Sequence, residues 1–233
     1  MKTIGMIGGV SWESTVLYYK LINEAVRYQL GGLSSAKLII NSLNYQEIVN
    51  FENENNWDRV ATILTHSAQG LEQSGADFIV LCCNTLHKVA SNIAINISIP
   101  FIHIADAAGL ALNQAQITKV GLLGTQFTME DGFYRDYLMH KFNVDVITPE
   151  LEMRKKIDTI IYKELCVGKV SRESKTMLLQ AIYDLAQQDA KAILLGCTEL
   201  GILIQPEDFH LPIFDTTKLH AEEIASIALS ENL

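Results

Sequence analysis

Phe78-Ile-Val-Leu-Cys-Cys-Asn-Thr85 and Ala192-Ile-Leu-Leu-Gly-Cys-Thr-Glu199 are the two stretches from which the rest of the chain can be read. Each is a short apolar run that ends in a cysteine, followed by Thr or by Asn-Thr. Uninterrupted apolar runs of this length, closed by polar residues, are the pattern of parallel strands covered on both faces. Two further pairs flank them in the same order. Ile4-Gly-Met-Ile-Gly-Gly9 resembles Val120-Gly-Leu-Leu-Gly-Thr125, and Ile99-Pro-Phe-Ile-His103 resembles Leu211-Pro-Ile-Phe-Asp215. The offsets are 116 for Gly5/Gly121, 114 for Cys83/Cys197 and 112 for Pro100/Pro212. A nearly constant offset across three ordered pairs points to an internal duplication, against the alternative that buried strands of any α/β protein look alike.

The remaining segments extend this reading. Strands are predicted at Lys2–Ile7, Lys37–Ser42, Phe78–Cys82, Phe101–Ile104, Lys119–Leu123, Asp145–Ile147, Ala192–Leu195 and Ile213–Phe214. Helices are predicted at Ser14–Leu30, Asp58–Ser74, Met129–Phe142, Glu152–Val167, Ser171–Gln188 and Thr217–Ser230. Gly31-Gly32 is a good stop for the first of them. The most polar stretch, Asn50–Asn56, reads as a loop or the start of a helix near the surface. Strands alternating with helices imply βαβ units, so the fold class is α/β, with two similar parallel-sheet domains. The segment after Pro212 repeats the one that leads out of the first half. The expected division is therefore residues 1–105 plus 211–233 as a first domain with a C-terminal helix return, and 106–210 as a second.

Bulk properties narrow the function. The chain has 233 residues, 48% hydrophobic and 19% charged, enough for one large or two small cores. A formal net charge of −9 and the lack of a basic stripe argue against nucleic-acid binding. It also means that an anionic substrate must be captured by local groups. No apolar run approaches a transmembrane length and the N-terminus lacks a signal-peptide pattern, so no membrane partner is expected. Four cysteines in a chain of this length are too sparse for a disulfide scaffold, and a cytoplasmic protein with free thiols is the expectation.

Ligands of open parallel sheets bind beyond the carboxyl ends of the strands. Both cysteine motifs and Gly8-Gly9-Val10-Ser11-Trp12 sit at such ends and are expected to converge on one cleft between the domains. Two thiols facing a carbon from opposite sides can remove a proton on one face and return one on the other. A thiol suits this work because its ordinary pKa, about 8.5, can be tuned by its surroundings. Asn84, Thr85 and Thr198 add donors that could orient a substrate carboxylate. Cys82, next to Cys83 in a strand, points to the opposite face and reads as core, and Cys166 reads as structural. Adjacent cysteines without a CxxC or paired-His pattern do not support a metal site. The glycines of the first turn lack the full dinucleotide-binding pattern. His87, four residues after Cys83, raises a Cys/His hydrolase, but the second motif has Leu200-Gly201 downstream and no equivalent His. His87 therefore reads as a structural or supporting group at the cysteine turn.

At Ile7-Gly-Gly-Val-Ser-Trp-Glu-Ser-Thr15, Cys83-Asn-Thr-Leu-His87 and Gly196-Cys-Thr-Glu199 the chain resembles the aspartate/glutamate racemase family, which works without pyridoxal phosphate. The resemblance covers nearly the whole chain. It implies two similar α/β domains with the site between them, commonly a homodimer, no cofactor, and Cys83 and Cys197 as the acid/base pair. It implies further that Asn84, Thr85 and Thr198 hold the carboxylate and amine region and that Val10 and Ser11 line the pocket. Glu52, where close relatives tend to have Gln, and Glu199 complete the expected substrate-binding set. Some relatives carry Thr in place of Cys83; this chain keeps both thiols, so reaction in both directions is expected. Two departures stand out. The Arg and the Lys that aspartate racemases use for the distal carboxylate have no clear counterpart here. Cys166 lies nearest the place of that Lys.

The expected activity is interconversion of L- and D-aspartate. The alternatives are a glutamate or broad-specificity amino-acid racemase, or another activity of the superfamily such as maleate isomerase or arylmalonate decarboxylase. Of different classes are a non-catalytic amino-acid-binding protein and a thiol-redox protein.

Overall fold

A computed structural model describes residues 1–230 of the chain. Its strands form two four-stranded sheets, of order β2-β1-β3-β4 and β6-β5-β7-β8, and every paired strand is parallel. The chain divides into two compact units: Met1–Ile104 with the chain from His220, and Ala105–Leu219. Among the described residues no helix is long and apolar enough to cross a membrane.

The first unit runs β1 (Thr3–Gly8), α1 (Trp12–Leu30), β2 (Lys37–Ser42), α2 (Tyr45–Asn53), α3 (Trp57–Gln73) and β3 (Phe78–Leu81). A 3-10 turn (Thr85–Val89), α4 (Ala90–Ala94), β4 (Phe101–Ile102) and α5 (Ile104–Gln114) follow, α5 carrying the chain into the second unit. β3 is buried along its whole length and β1 from Ile4 onward, as a central strand covered on both faces must be. The second unit runs β5 (Lys119–Gly124), α6 (Gln126–Glu130), α7 (Phe133–Phe142), β6 (Asp145–Ile147) and α8 (Leu151–Lys163). A 3-10 turn (Leu165–Val167), α9 (Arg172–Gln187), β7 (Ala192–Gly196), α10 (Leu200–Leu203), β8 (Ile213–Asp215) and α11 (Thr216–Leu229) complete it and lead back to the first.

The repeated residues hold repeated jobs. A side chain on Gly5 would press on Ile79 of the neighbouring strand, and one on Gly121 would press on Ile193, the matching residue of the other sheet. The carbonyl of Pro100 accepts a hydrogen bond from Ile79 N at 2.8 Å, and that of Pro212 accepts one from Ile193 N at 2.9 Å. Each Pro therefore sits where its missing N–H costs nothing and its carbonyl still joins the ladder.

Three expectations need adjustment. The helix expected over Met129–Phe142 is broken into α6 and α7 at Gly132, whose φ of +77° interrupts the helical path. The helix expected to reach Val167 ends at Lys163 and tightens into the 3-10 turn that carries Cys166. The first domain was expected to resume at residue 211, but β8 pairs with β7 and belongs to the second sheet. The return comes at His220, where α11 lays Ala221, Ile224 and Ala228 against Tyr18, Phe78 and Val80. Residues 231–233 of the expected return lie outside the described residues.

Candidate active site

In the first unit the carboxyl ends of β1 and β3 lie side by side, with Cys82 N donating to Ile7 O at 3.0 Å. After β1 the chain turns through Gly9, Val10 and Ser11. Ser11 caps α1 by accepting from Ser14 N at 3.3 Å. Thr15 Oγ1 accepts from Gly9 N at 2.8 Å and donates to Ser11 O at 2.9 Å, so the first turn of α1 clamps the loop before it. Val10 and Cys83 belong to one buried apolar cluster with Ile7, Leu86 and Val89. Cys82 is pleated to the other face and packs with Tyr18, Phe78 and Val80. Burial, and then the neighbouring Cys83, push the Cys82 thiol far above its ordinary range, which leaves it inert.

Asn84 and Thr85 are buried and open the 3-10 turn that follows Cys83. On that turn His87 fastens the cysteine backbone. Its Nε2 accepts from Ile104 N at 3.2 Å, so the ring proton is on Nδ1, which donates to the Cys83 carbonyl at 2.7 Å. Burial, and then His103, hold the His87 pKa well below the ordinary value, and the ring stays neutral. With both nitrogens engaged on backbone, His87 is not turned toward the Cys83 thiol as a hydrolase base would be. Beside it His220 accepts from Tyr18 Oη at 3.0 Å and donates to Ile102 O at 3.3 Å, and burial brings its pKa down to about 3.

These buried neutral rings make the fold acid-sensitive. Between pH 6.5 and about 3 the unfolded chain holds a proton on His220 that the folded chain does not, so stability falls as pH falls through that window. Urea unfolding at pH 7 and pH 4.5 should show a loss about 2 kcal/mol greater for the native chain than for His220→Gln. Equal losses would mean that His220 is not held neutral.

In the second unit Cys197 follows β7, next to the end of β5, where Thr125 caps α6. Cys197 packs with Leu123, Leu165, Leu200 and Leu203. Its thiol donates to Glu199 Oε2 at 3.0 Å, and the Cys166 thiol reaches Glu199 Oε1 at 3.7 Å. Burial first, then the charge of Glu199 and the nearby Cys166, raise the Cys197 pKa well above the ordinary value. Cys197 is therefore held as a protonated thiol, hydrogen-bonded to the Glu199 carboxylate.

The expected residues thus gather in two groups: Val10, Ser11, Cys83, Asn84 and Thr85 at the strand ends of the first sheet, and Cys197, Thr198 and Glu199 at those of the second. All eight are buried, and Glu52 is buried on α2. The turns after the two cysteines are short, so each thiol precedes only a single helical turn or so. Cys166, which reads as structural in the sequence, comes within 3.7 Å of Glu199 in the fold.

The sequence profile of the family described as Asp/Glu/Hydantoin racemase matches residues 7–224. A crystal structure of an Asp/Glu racemase candidate from Yersinia pestis is 44% identical, covers 99% of this chain and 100% of its own, and superposes with a TM-score of 0.92. An aspartate racemase homologue from Pyrococcus horikoshii OT3 is 32% identical, with coverage of 99% and 100% and a TM-score of 0.86. The broad specificity amino-acid racemase RacX of Bacillus subtilis is 25% identical over 174 residues, 74% of each chain.

Proposed function

We propose, for a chain that belongs to the Asp/Glu/Hydantoin racemase family, a cofactor-independent amino-acid racemase activity in which Cys83 and Cys197 are the two acid/base groups. The observation that carries this reading is the matched placement of the two thiols. Each is buried, each lies just beyond the central strand β3 or β7 of its sheet, and each is followed by Asn-Thr or Thr-Glu. Cys197 is held as a thiol by burial and by Glu199, which suits it to the donor role in the first step.

In the forward step the Cys83 thiolate takes the α-proton, the Cα–H pair stays on carbon as a planar carbanion, and the Cys197 thiol protonates the other face. Cys83 ends as thiol and Cys197 as thiolate, and the reverse reaction or proton exchange with solvent restores the pair. Glu199, hydrogen-bonded to Cys197, is placed to relay a solvent proton back to its thiolate. Asn84, Thr85 and Thr198 offer donors to the α-carboxylate, where charge develops as the proton leaves. Val10 and Ser11 form the rest of the wall on the first sheet, and the buried Glu52 belongs to the same proposed binding set.

Aspartate is the substrate that the motifs point to, and the chemistry at the α-carbon is the same for glutamate or other amino acids. A homodimer in the cytoplasm is part of the same reading, the four free cysteines fitting a reducing compartment. Proton NMR in D2O tests the activity. With metal-free, pyridoxal-phosphate-free protein the α-proton signal of an L-amino acid should disappear while its D-enantiomer accumulates on a chiral column. A chain that shifts amino-acid signals without exchanging the α-proton would be a binding protein and no racemase.

A further inference from the structure

Building on the two-cysteine reading, we propose that Cys166 is a positioning residue for the chemistry at Cys197: its thiol holds one oxygen of the Glu199 carboxylate so that the other oxygen meets the Cys197 sulfur. The Cys166 thiol donates to Glu199 Oε1 at 3.7 Å, and the Cys197 thiol donates to Glu199 Oε2 at 3.0 Å. A carboxylate on a two-carbon stem turns freely about its last C–C bond unless something holds it. With Oε1 on Cys166, that rotation is restrained and Oε2 stays on Cys197. Glu199 is buried, so the direction in which its charge points is felt strongly by the group it faces.

Cys166 reaches Glu199 from a braced turn, 33 residues away in the chain. α8 stops at Lys163, and the chain tightens into the 3-10 turn Leu165–Val167. Leu165 is buried in the same apolar cluster as Cys197, and Cys166 packs against that cluster. The Glu164 carbonyl accepts from Val167 N at 3.1 Å and from Lys169 N at 2.9 Å, with Gly168 between them at a φ of +73°. The Glu164 carboxylate accepts from Ser174 Oγ at 2.6 Å and from Ser171 Oγ at 3.4 Å, which ties the turn to the start of α9. A side chain on such a turn loses little further freedom when it makes a contact. A thiol there is an uncharged donor. It orients the carboxylate and leaves the negative charge to act on Cys197. In the proposed reaction Glu199 passes a solvent proton to the Cys197 thiolate, and a carboxylate turned away from that sulfur would pass it more slowly.

α-Proton exchange in D2O is first measured for the native chain with a panel of L- and D-amino acids, and the best substrate is carried forward. Cys166→Ala, which removes the donor, should lower kcat about tenfold and change KM by less than about twofold. Cys166→Ser, which keeps a donor, should restore kcat to within about threefold of the native value. A native kcat in Cys166→Ala overturns the proposal, and so does a folded Cys166→Ser as slow as Cys166→Ala, which would mean that the sulfur only fills space. Should Cys166→Ala not fold, Cys166→Val keeps the size, lacks the donor and carries the same expectations. A second measurement isolates the Cys197 face. In Cys83→Ser, adding Cys166→Ala should lower the remaining wash-out of the α-proton about tenfold, and unaltered wash-out overturns the proposal. An equal loss on adding it to Cys197→Ser would mark a general loosening and overturns it as well. Exchange of no amino acid by the native chain removes the racemase reading and the proposal with it; an active chain indifferent to Cys166→Ala removes the proposal alone.

Discussion

Replacing Cys83 or Cys197 by serine should lower racemisation by about two to four orders of magnitude, the range that positioned acid/base groups contribute. A serine hydroxyl preserves the size of the buried group and donates a hydrogen bond, but it is far too weak an acid to become the base. The two variants should also fail differently. In Cys83→Ser the Cys197–Glu199 pair remains, so the enantiomer whose α-proton faces Cys197 should still exchange with solvent deuterium without inverting. In Cys197→Ser the opposite enantiomer should keep its exchange. Complementary loss of wash-out in the two variants, followed by NMR with each pure enantiomer, is the signature of one base per face. Near-normal formation of the opposite enantiomer by either variant would remove that thiol from the mechanism.

The second large effect is on the fold. Gly9 has a φ of +80°, and a Cβ there would collide with the backbone of Leu43. Neither side can yield easily. Leu43 N is bound to Gly8 O at 2.9 Å, and Gly9 N is bound to Thr15 Oγ1 at 2.8 Å. Gly9→Ala is therefore expected to cost about 3–5 kcal/mol, the left-handed backbone adding to a clash with main chain. Gly31→Ala is the control. It shares the positive φ, at +73°, but has open space around it, and should cost about 1 kcal/mol. Denaturant midpoints compare the two. Equal costs would mean that the turn behind Val10 and Ser11 can relax, and that its close packing on Leu43 does not hold the site's first wall.

Much of this arrangement was legible before any coordinates. A central parallel strand has to be apolar on both faces, so β1, β3, β5 and β7 announce themselves as unbroken runs in a chain otherwise punctuated by Gly and polar residues. Because the pattern is local and occurs twice, the two sheets and the placement of Cys83 and Cys197 at equivalent strand ends follow from spacing. Less legible was α2, whose Tyr45–Asn53 stretch is polar enough to read in part as loop, although it buries Ile48 and Glu52. The split of α6 from α7 turned on one glycine φ that composition does not reveal.

The proton states and partners at the site were decided by folding. The neutral tautomer of His87 depends on Ile104 N, 17 residues away, and the charge beside Cys197 is shared with Cys166, 33 residues away. Such contacts carry no periodicity, because they depend on where a 3-10 turn or a strand end delivers a single side chain. Sequence spacing sufficed to identify two matched thiols. Burial, and the Glu199 carboxylate that folding brings within hydrogen-bonding distance of one of them, are what keep that thiol protonated, since desolvation and a nearby charge act only between atoms already packed together.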